Sequence, residues 1–235
     1  MMNLDEESLK CRMLAWYRRQ RALKPTSVIA SEFVLGQTGC RSDLAIWNGA
    51  FIGVEIKSAR DSLVRLPDQI TAYLKFFDNV ILLCDEIHLS KAETLCPLVV
   101  GIYVWRDGEV HIHRPPVHNS SRDRLELARA VSVRVLQSSL GVTASSASYS
   151  RTQLEKQVVE NPAIDVNSLF TASFKTTYEV TTRAFLRETS GRRIRPDHLR
   201  YLSRYAVERD EIKRNQANRA AFWMQWEVQA QAVFG

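Results

Sequence analysis

Phe51-Ile52-Gly53-Val54-Glu55-Ile56-Lys57 is the stretch that decides how this chain folds. Ile52, Val54 and Ile56 alternate with Gly53, Glu55 and Lys57, the period of a β-strand with one apolar and one polar face. On such a strand the Glu55 carboxylate and the Lys57 ammonium point the same way, roughly 6.5–7 Å apart. A solvated charged face gives the same pattern, so the pair takes its meaning from what surrounds it. The chain carries its own control. Glu211-Ile212-Lys213 repeats the tripeptide inside a stretch of helical periodicity, where the two side chains diverge by about 200° around the axis and read as surface charge.

Working outward, Ser42-Asp43-Leu44-Ala45-Ile46-Trp47 is a second alternating run, with Leu44 and Ile46 on one face and Asp43 on the other. Asn48-Gly49 between the two runs is a strong hairpin signal, and the hairpin brings Asp43 and Glu55 into one neighbourhood. Upstream, Val28 to Leu35 is a third β-like run, and it carries Glu32 in an otherwise apolar setting. Three carboxylates and one lysine converge.

The remaining elements frame these three strands. Glu6 to about Leu23 spaces Leu9, Met13, Leu14, Trp16 and Tyr17 among Lys10, Arg12, Arg18, Arg19 and Arg21, the stripe of an amphipathic helix packed on a sheet. Lys24-Pro25 ends it. Leu63 to Phe77 has helical spacing and sets Gln69 and Tyr73 four apart on one face. Asn79 to Cys84 is the continuous apolar run of a central strand covered on both sides. Val99–Trp105 and Glu109–His113 flank Arg106-Asp107-Gly108 as a second hairpin, and Pro115-Pro116 closes the α/β region. From Ser120 onward the periodicity is helical. The expected division is an α/β domain over residues 1–118 and a basic helical region over 119–235.

The net charge is +6, unevenly placed: residues 1–120 hold 14 Lys+Arg and 14 Asp+Glu, residues 121–235 hold 18 and 12. A positive C-terminal half suits a polyanion such as nucleic acid, with Arg192, Arg193 and Arg195 in a loop as phosphate contacts. Tyr201, Tyr205, Phe222, Trp223 and Trp226 fall at near-helical spacing and read as core or as an interface between copies of the chain. Cys11, Cys40, Cys84 and Cys96 show no paired spacing and read as reduced thiols. No apolar run reaches the length of a membrane span, and the acidic start is unlike a signal peptide, so a cytoplasmic protein without membrane contact is expected.

Clustered carboxylates attract a hard divalent cation such as Mg²⁺ or Mn²⁺, which prefers oxygen ligands and suits phosphate substrates. An adjacent lysine orients the attacking water and offsets charge building on phosphorus. Glu32, then Arg41-Ser42-Asp43-Leu44-Ala45, Val54-Glu55-Ile56-Lys57 and the helix with Asp68-Gln69 and Tyr73 together resemble the PD-(D/E)XK nuclease superfamily, the last element being similar to its RecB-like subgroup. The resemblance covers roughly residues 1–113. The wording around Glu55–Ser58, Leu63–Gln69 and Phe76–Val80 is also similar to small bacterial and phage members in which a helical tail follows the core.

This resemblance implies a restriction-endonuclease-like α-β-β-β-α-β core with a central mixed sheet, and a Mg²⁺- or Mn²⁺-dependent nuclease acting on DNA. Asp43 and Glu55 are the implied metal ligands, with the Ile56 carbonyl as a third. Lys57 is the implied catalytic lysine. Glu32 is implied to hold a second metal or its water, and Gln69 and Tyr73 to organise the site or touch substrate. Arg41, Arg60 and Arg65 flank it as phosphate contacts. Ser42 stands where the superfamily name has proline, which is not a ligand. The alternative is a catalytically silent nucleic-acid-binding or assembly protein on the same fold.

Overall fold

The computed structural model describes residues 4–142 and 149–203. Its elements run α1 (Glu6–Arg19), β1 (Val28–Val34), β2 (Arg41–Trp47), β3 (Phe51–Lys57), α2 (Leu66–Leu74), β4 (Asn79–Asp85), α3 (Leu89–Leu95), β5 (Gly101–Arg106), β6 (Glu109–Arg114), α4 (Arg124–Ala130), α5 (Val133–Ser139), α6 (Arg151–Glu160), α7 (Val166–Thr189) and α8 (Pro196–Leu199). The six strands lie in sequence order in one sheet. Neighbours are antiparallel except β3–β4 and β4–β5, which are parallel. The α-β-β-β-α-β order, the mixed central sheet and the helices that follow are those expected from the sequence. α2 is the crossover that the parallel β3–β4 pair demands.

Local chemistry fixes α1. Asp5 accepts the Ser8 N–H at 2.9 Å, Glu6 and Glu7 occupy the first turn, and Arg18 and Arg19 occupy the last, all favourable to the helix dipole. Leu9, Met13, Leu14 and Tyr17 are buried against Ile29, Leu44, Ile46, Val54 and Ile56 on one face of the sheet. The loop joining β2 to β3 has three residues, with the Asn48 N–H on the Ala50 carbonyl at 3.2 Å.

The polar face of β3 is not solvated. All seven residues from Phe51 to Lys57 are buried, because β3 is central and α2 covers the face opposite α1. Gly53 shows how closely: a Cβ there would stand 2.3 Å from the Phe77 ring. Phe77 in turn stacks on Phe51 at 4.8 Å between centroids.

The division expected near residue 118 is crossed by a shared core. Leu127, Leu136, Leu154, Phe170, Phe174 and Tyr178 from α4 to α7 join Phe33, Phe51, Tyr73 and Phe77 in one apolar cluster. Beyond Pro115-Pro116 the chain stays attached: the Asn119 side chain donates to the carbonyls of Leu74 at 2.6 Å and Phe77 at 3.1 Å. α7 also seals the sheet edge, where the Thr182 hydroxyl accepts the Ile29 N–H at 2.8 Å and donates to the Ile29 carbonyl at 3.0 Å. The compact unit that holds the described residues ends at Ser203. The second Glu-Ile-Lys and the aromatic residues from Tyr205 onward lie outside the described residues.

Candidate active site

β2 and β3 pair from Trp47–Phe51 to Leu44–Val54. The next residues in that register, Asp43 and Glu55, face each other where the ladder has ended. Into the gap the Asp43 side chain inserts, its Oδ2 accepting the Ile56 N–H at 2.6 Å. On a strand the N–H and C=O of one residue point to the same edge, so the Ile56 carbonyl also faces the β2 side, beside Asp43.

Tyr73, on the buried face of α2, ties these elements together. Its hydroxyl accepts the Asp43 N–H at 3.1 Å and donates to Glu55 Oε2 at 2.5 Å. The other Glu55 oxygen lies 2.7 Å from Lys57 Nζ, and both residues are buried, 1% and 6% exposed. Tyr73 therefore ties the β2 backbone at Asp43 to the Glu55 carboxylate. One turn earlier, the buried Gln69 Oε1 has no hydrogen-bond partner among the described residues.

Glu32 reaches the same place by an unusual backbone. Its φ is 56°, the left-handed region that costs a non-glycine residue about 1–2 kcal/mol. The consequence for β1 is visible in its packing: Val28 and Ala30 face the α2 side, and after Glu32 the phase flips so that Phe33 and Leu35 face that side as well. A regular strand would have turned Phe33 the other way.

Two further residues of this cluster escape the strand-based reading. Glu6 and Lys10 stand one turn apart on α1, and Lys10 is only 3% exposed. Its ammonium hydrogen-bonds Glu32 Oε1, lies 2.7 Å from Glu6 and 3.7 Å from Asp43 Oδ1. The oxygens of Glu6, Glu32 and Asp43 sit within 4.8 Å of one another. The available signal was Lys10's position in the apolar stripe, three and four residues before Met13 and Leu14. In isolation a lysine there reads as solvated helix surface.

Electrostatics follow from the crowding. Burial, reinforced by the facing Glu55 charge, pushes the Asp43 carboxyl well above its ordinary range, against the pull of Lys10. Burial, then the charges of Glu55 and Asp43, push the Tyr73 hydroxyl up and keep it protonated. Lys10 is the opposite case: burial opposes its charge, yet Asp43, Glu32 and Glu6 more than offset it and hold the ammonium protonated.

The whole constellation opens on a cleft of about 440 Å³, lined by Glu6, Glu32, Asp43, Glu55, Ile56, Lys57 and Gln69, with Arg41, Arg65 and Asp68 also on its wall. Arg41 stands 3.7 Å from Glu32. The remaining arginines fall elsewhere. Arg60 is exposed outside the lining. Arg192, Arg193 and Arg195 are exposed in the loop after α7, where the Arg192 carbonyl accepts from Arg18 at 2.8 Å. Arg18 is twelve residues along α1 from Glu6, roughly 18 Å of helix, so that loop is not part of the cleft. No helix among the described residues is long and apolar enough to cross a membrane.

The arrangement can gather a divalent cation by hard oxygen ligands and hold an ammonium beside them. Comparison with known proteins adds a family. The family model described as Bacteriophage P4 protein cII matches residues 1–203. Protein cII of Enterobacteria phage P4 is 31% identical over 99 residues, covering 42% of this chain and 37% of that protein. The chain thus spans little more than a third of that curated relative's length. Among solved structures, the SPO1766 protein of unknown function from Silicibacter pomeroyi is 14% identical with a TM-score of 0.45, covering 81% of this chain and 96% of that one.

Proposed function

We propose that this chain, which belongs to the Bacteriophage P4 protein cII family, is a divalent-metal-dependent nuclease that hydrolyses phosphodiester bonds, with DNA as its substrate. One observation carries the reading. Asp43 and Glu55 face each other where β2 and β3 part, with Lys57 against Glu55, at the wall of a cleft that also holds Arg41 and Arg65.

The donor set fits Mg²⁺ or Mn²⁺: two carboxylates and the Ile56 carbonyl are hard oxygen ligands converging from adjacent strands. When bound, such an ion polarises the phosphoryl group, acidifies water and stabilises the leaving oxygen. The chain's own residues do the rest. Asp43 and Glu55 supply the negative charge that holds the ion, and Tyr73 anchors the Glu55 carboxylate to the Asp43 backbone. Lys57 Nζ orients the attacking water and offsets charge on the phosphate. Arg41 and Arg65 draw the phosphodiester backbone into the cleft, and Gln69, with an unpaired buried oxygen, is placed to orient substrate or solvent. The resemblance to PD-(D/E)XK nucleases supports the same assignment for Asp43, Glu55 and Lys57.

The test is cleavage of single- and double-stranded DNA and RNA in Mg²⁺ and in Mn²⁺, repeated with chelator. Degradation that needs the metal and falls with Glu55→Gln supports the reading. Tight, salt-sensitive binding without cleavage in either metal would assign the chain to the silent nucleic-acid-binding class.

A further inference from the structure

We infer that the Lys10 ammonium is a built-in second cation, so that the cleft admits one divalent ion rather than two. This rests on the nuclease reading above and specifies its chemistry. Two lysines share the four carboxylates. Lys57 serves Glu55 alone, at 2.7 Å, while Lys10 contacts Glu6, Glu32 and Asp43 Oδ1 together. The oxygens around Lys10, all within 4.8 Å of one another, form a shell of the size that surrounds one cation, and a cation of the chain's own is already in it.

Lys10 is not free to leave. Its side chain is 4% exposed, and its helix is anchored by the buried Leu9, Cys11, Met13 and Leu14. Nor does the shell tolerate a second occupant, because a divalent ion beside an ammonium is repelled twice as strongly as a monovalent one at equal distance. A buried ammonium stripped of its carboxylates would be left uncompensated, so Lys10, with its side chain 4% exposed, is held where Glu6, Glu32 and Asp43 meet. Asp43 is the shared member: Oδ1 faces Lys10, and Oδ2 lies on the Ile56 edge where the divalent ion belongs. Glu32, expected from the sequence to serve a second metal, serves Lys10 in its place. Lys10 is thus a positioning residue and a substitute for a metal, not a group that touches the scissile bond.

Calorimetric titration of the full chain with Mn²⁺ tests this, with circular dichroism to establish that each variant is folded. The expected stoichiometry is one ion for wild type, two for Lys10→Met, and one again for Lys10→Met with Glu32→Gln. Electron paramagnetic resonance gives a variant-independent check. Wild-type protein saturated with Mn²⁺ should show the signal of an isolated ion, whereas two ions at the roughly 4 Å spacing of paired-metal sites are exchange-coupled. Two coupled ions in wild type overturn the inference and leave the nuclease reading standing, as does a folded Lys10→Met protein that still takes one. No ion in any of the three folded proteins overturns the metal-dependent reading and the inference with it.

Discussion

Two charge networks in this molecule, each built around buried carboxylates, look alike on paper and differ in what they leave unfinished. On the helical side, Glu126 and Glu155 are surrounded by Lys75, Arg129 and Arg151, with Arg151 Nε on Glu155 Oε1 at 2.7 Å and Arg129 Nη1 on Glu126 Oε1 at 2.9 Å. Arg151 also donates to the carbonyls of Arg129 at 2.6 Å and Val131 at 2.9 Å, which ties α6 to α4. Cations outnumber carboxylates, and the network joins helices. In the cleft the balance is reversed. Glu6, Glu32, Asp43 and Glu55 outnumber the buried Lys10 and Lys57, two of the carboxylates face each other, and the group opens on solvent. A charge network completed by the protein is architecture. One that keeps a carboxylate surplus beside a cleft has room for a cation from outside, which is the physical content of the nuclease assignment.

The two networks differ most at Glu55. Glu55→Gln should lower cleavage on the order of 10³-fold, the scale of losing a group that stabilises transition-state charge, measured as single-turnover rate in Mg²⁺. Glu155→Gln should leave that rate unchanged per folded molecule. Glu155→Ala should instead cost about 1–3 kcal/mol of stability by denaturant unfolding, the scale of losing hydrogen bonds to a charged group, because it removes the buried carboxylate that Arg151 and Arg129 share across α4 and α6. A Glu155 variant that lost cleavage while keeping its stability would erase the distinction.

Lys57 sharpens it from the other side. Read as part of an open strand face, Lys57 should be removable without effect on folding. Buried at 6% exposure against Glu55, it is not, and Lys57→Ala should destabilise by about 3 kcal/mol as well as abolish cleavage. Tyr73→Phe is the mildest of the set. Losing the hydroxyl that joins Asp43 and Glu55 should cost about 1–2 kcal/mol, lowering the affinity of the site for Mn²⁺ without removing it, as calorimetry would show.

The burial of Lys57 marks where the sequence stops being sufficient. The period-two pattern of Phe51–Lys57 correctly gave a strand, and the apolar run at Asn79–Cys84 a central one. That β3 is buried on both faces was hidden, because Gly53, Glu55 and Lys57 carry no apolar signature. Gly53 is small to admit Phe77, and the two charges are buried because they satisfy each other and Tyr73. Asp43 and Glu55 were legible as neighbours through hairpin register alone. Glu32 was legible as a carboxylate on the first strand, but its left-handed backbone and the phase flip to Phe33 were not, since nothing local to Ser31-Glu32-Phe33 demands them. Glu6 and Lys10 were missed because helical periodicity assigns a lysine to solvent unless three carboxylates from other elements are known to await it. Pro115-Pro116 looked like a boundary, yet Asn119 and the aromatic stripe of α7 complete the sheet's own core, a long-range fact with no local sign.

Asp43→Asn offers the most direct measurement, because the amide keeps an acceptor for the Ile56 N–H and removes only the charge. Cleavage of double-stranded DNA in Mg²⁺ should vanish in this variant while circular dichroism shows that the protein is still folded. If Asp43→Asn cleaves DNA at the wild-type rate, the facing carboxylates do not hold the metal, and the cleft is not the site of phosphodiester hydrolysis.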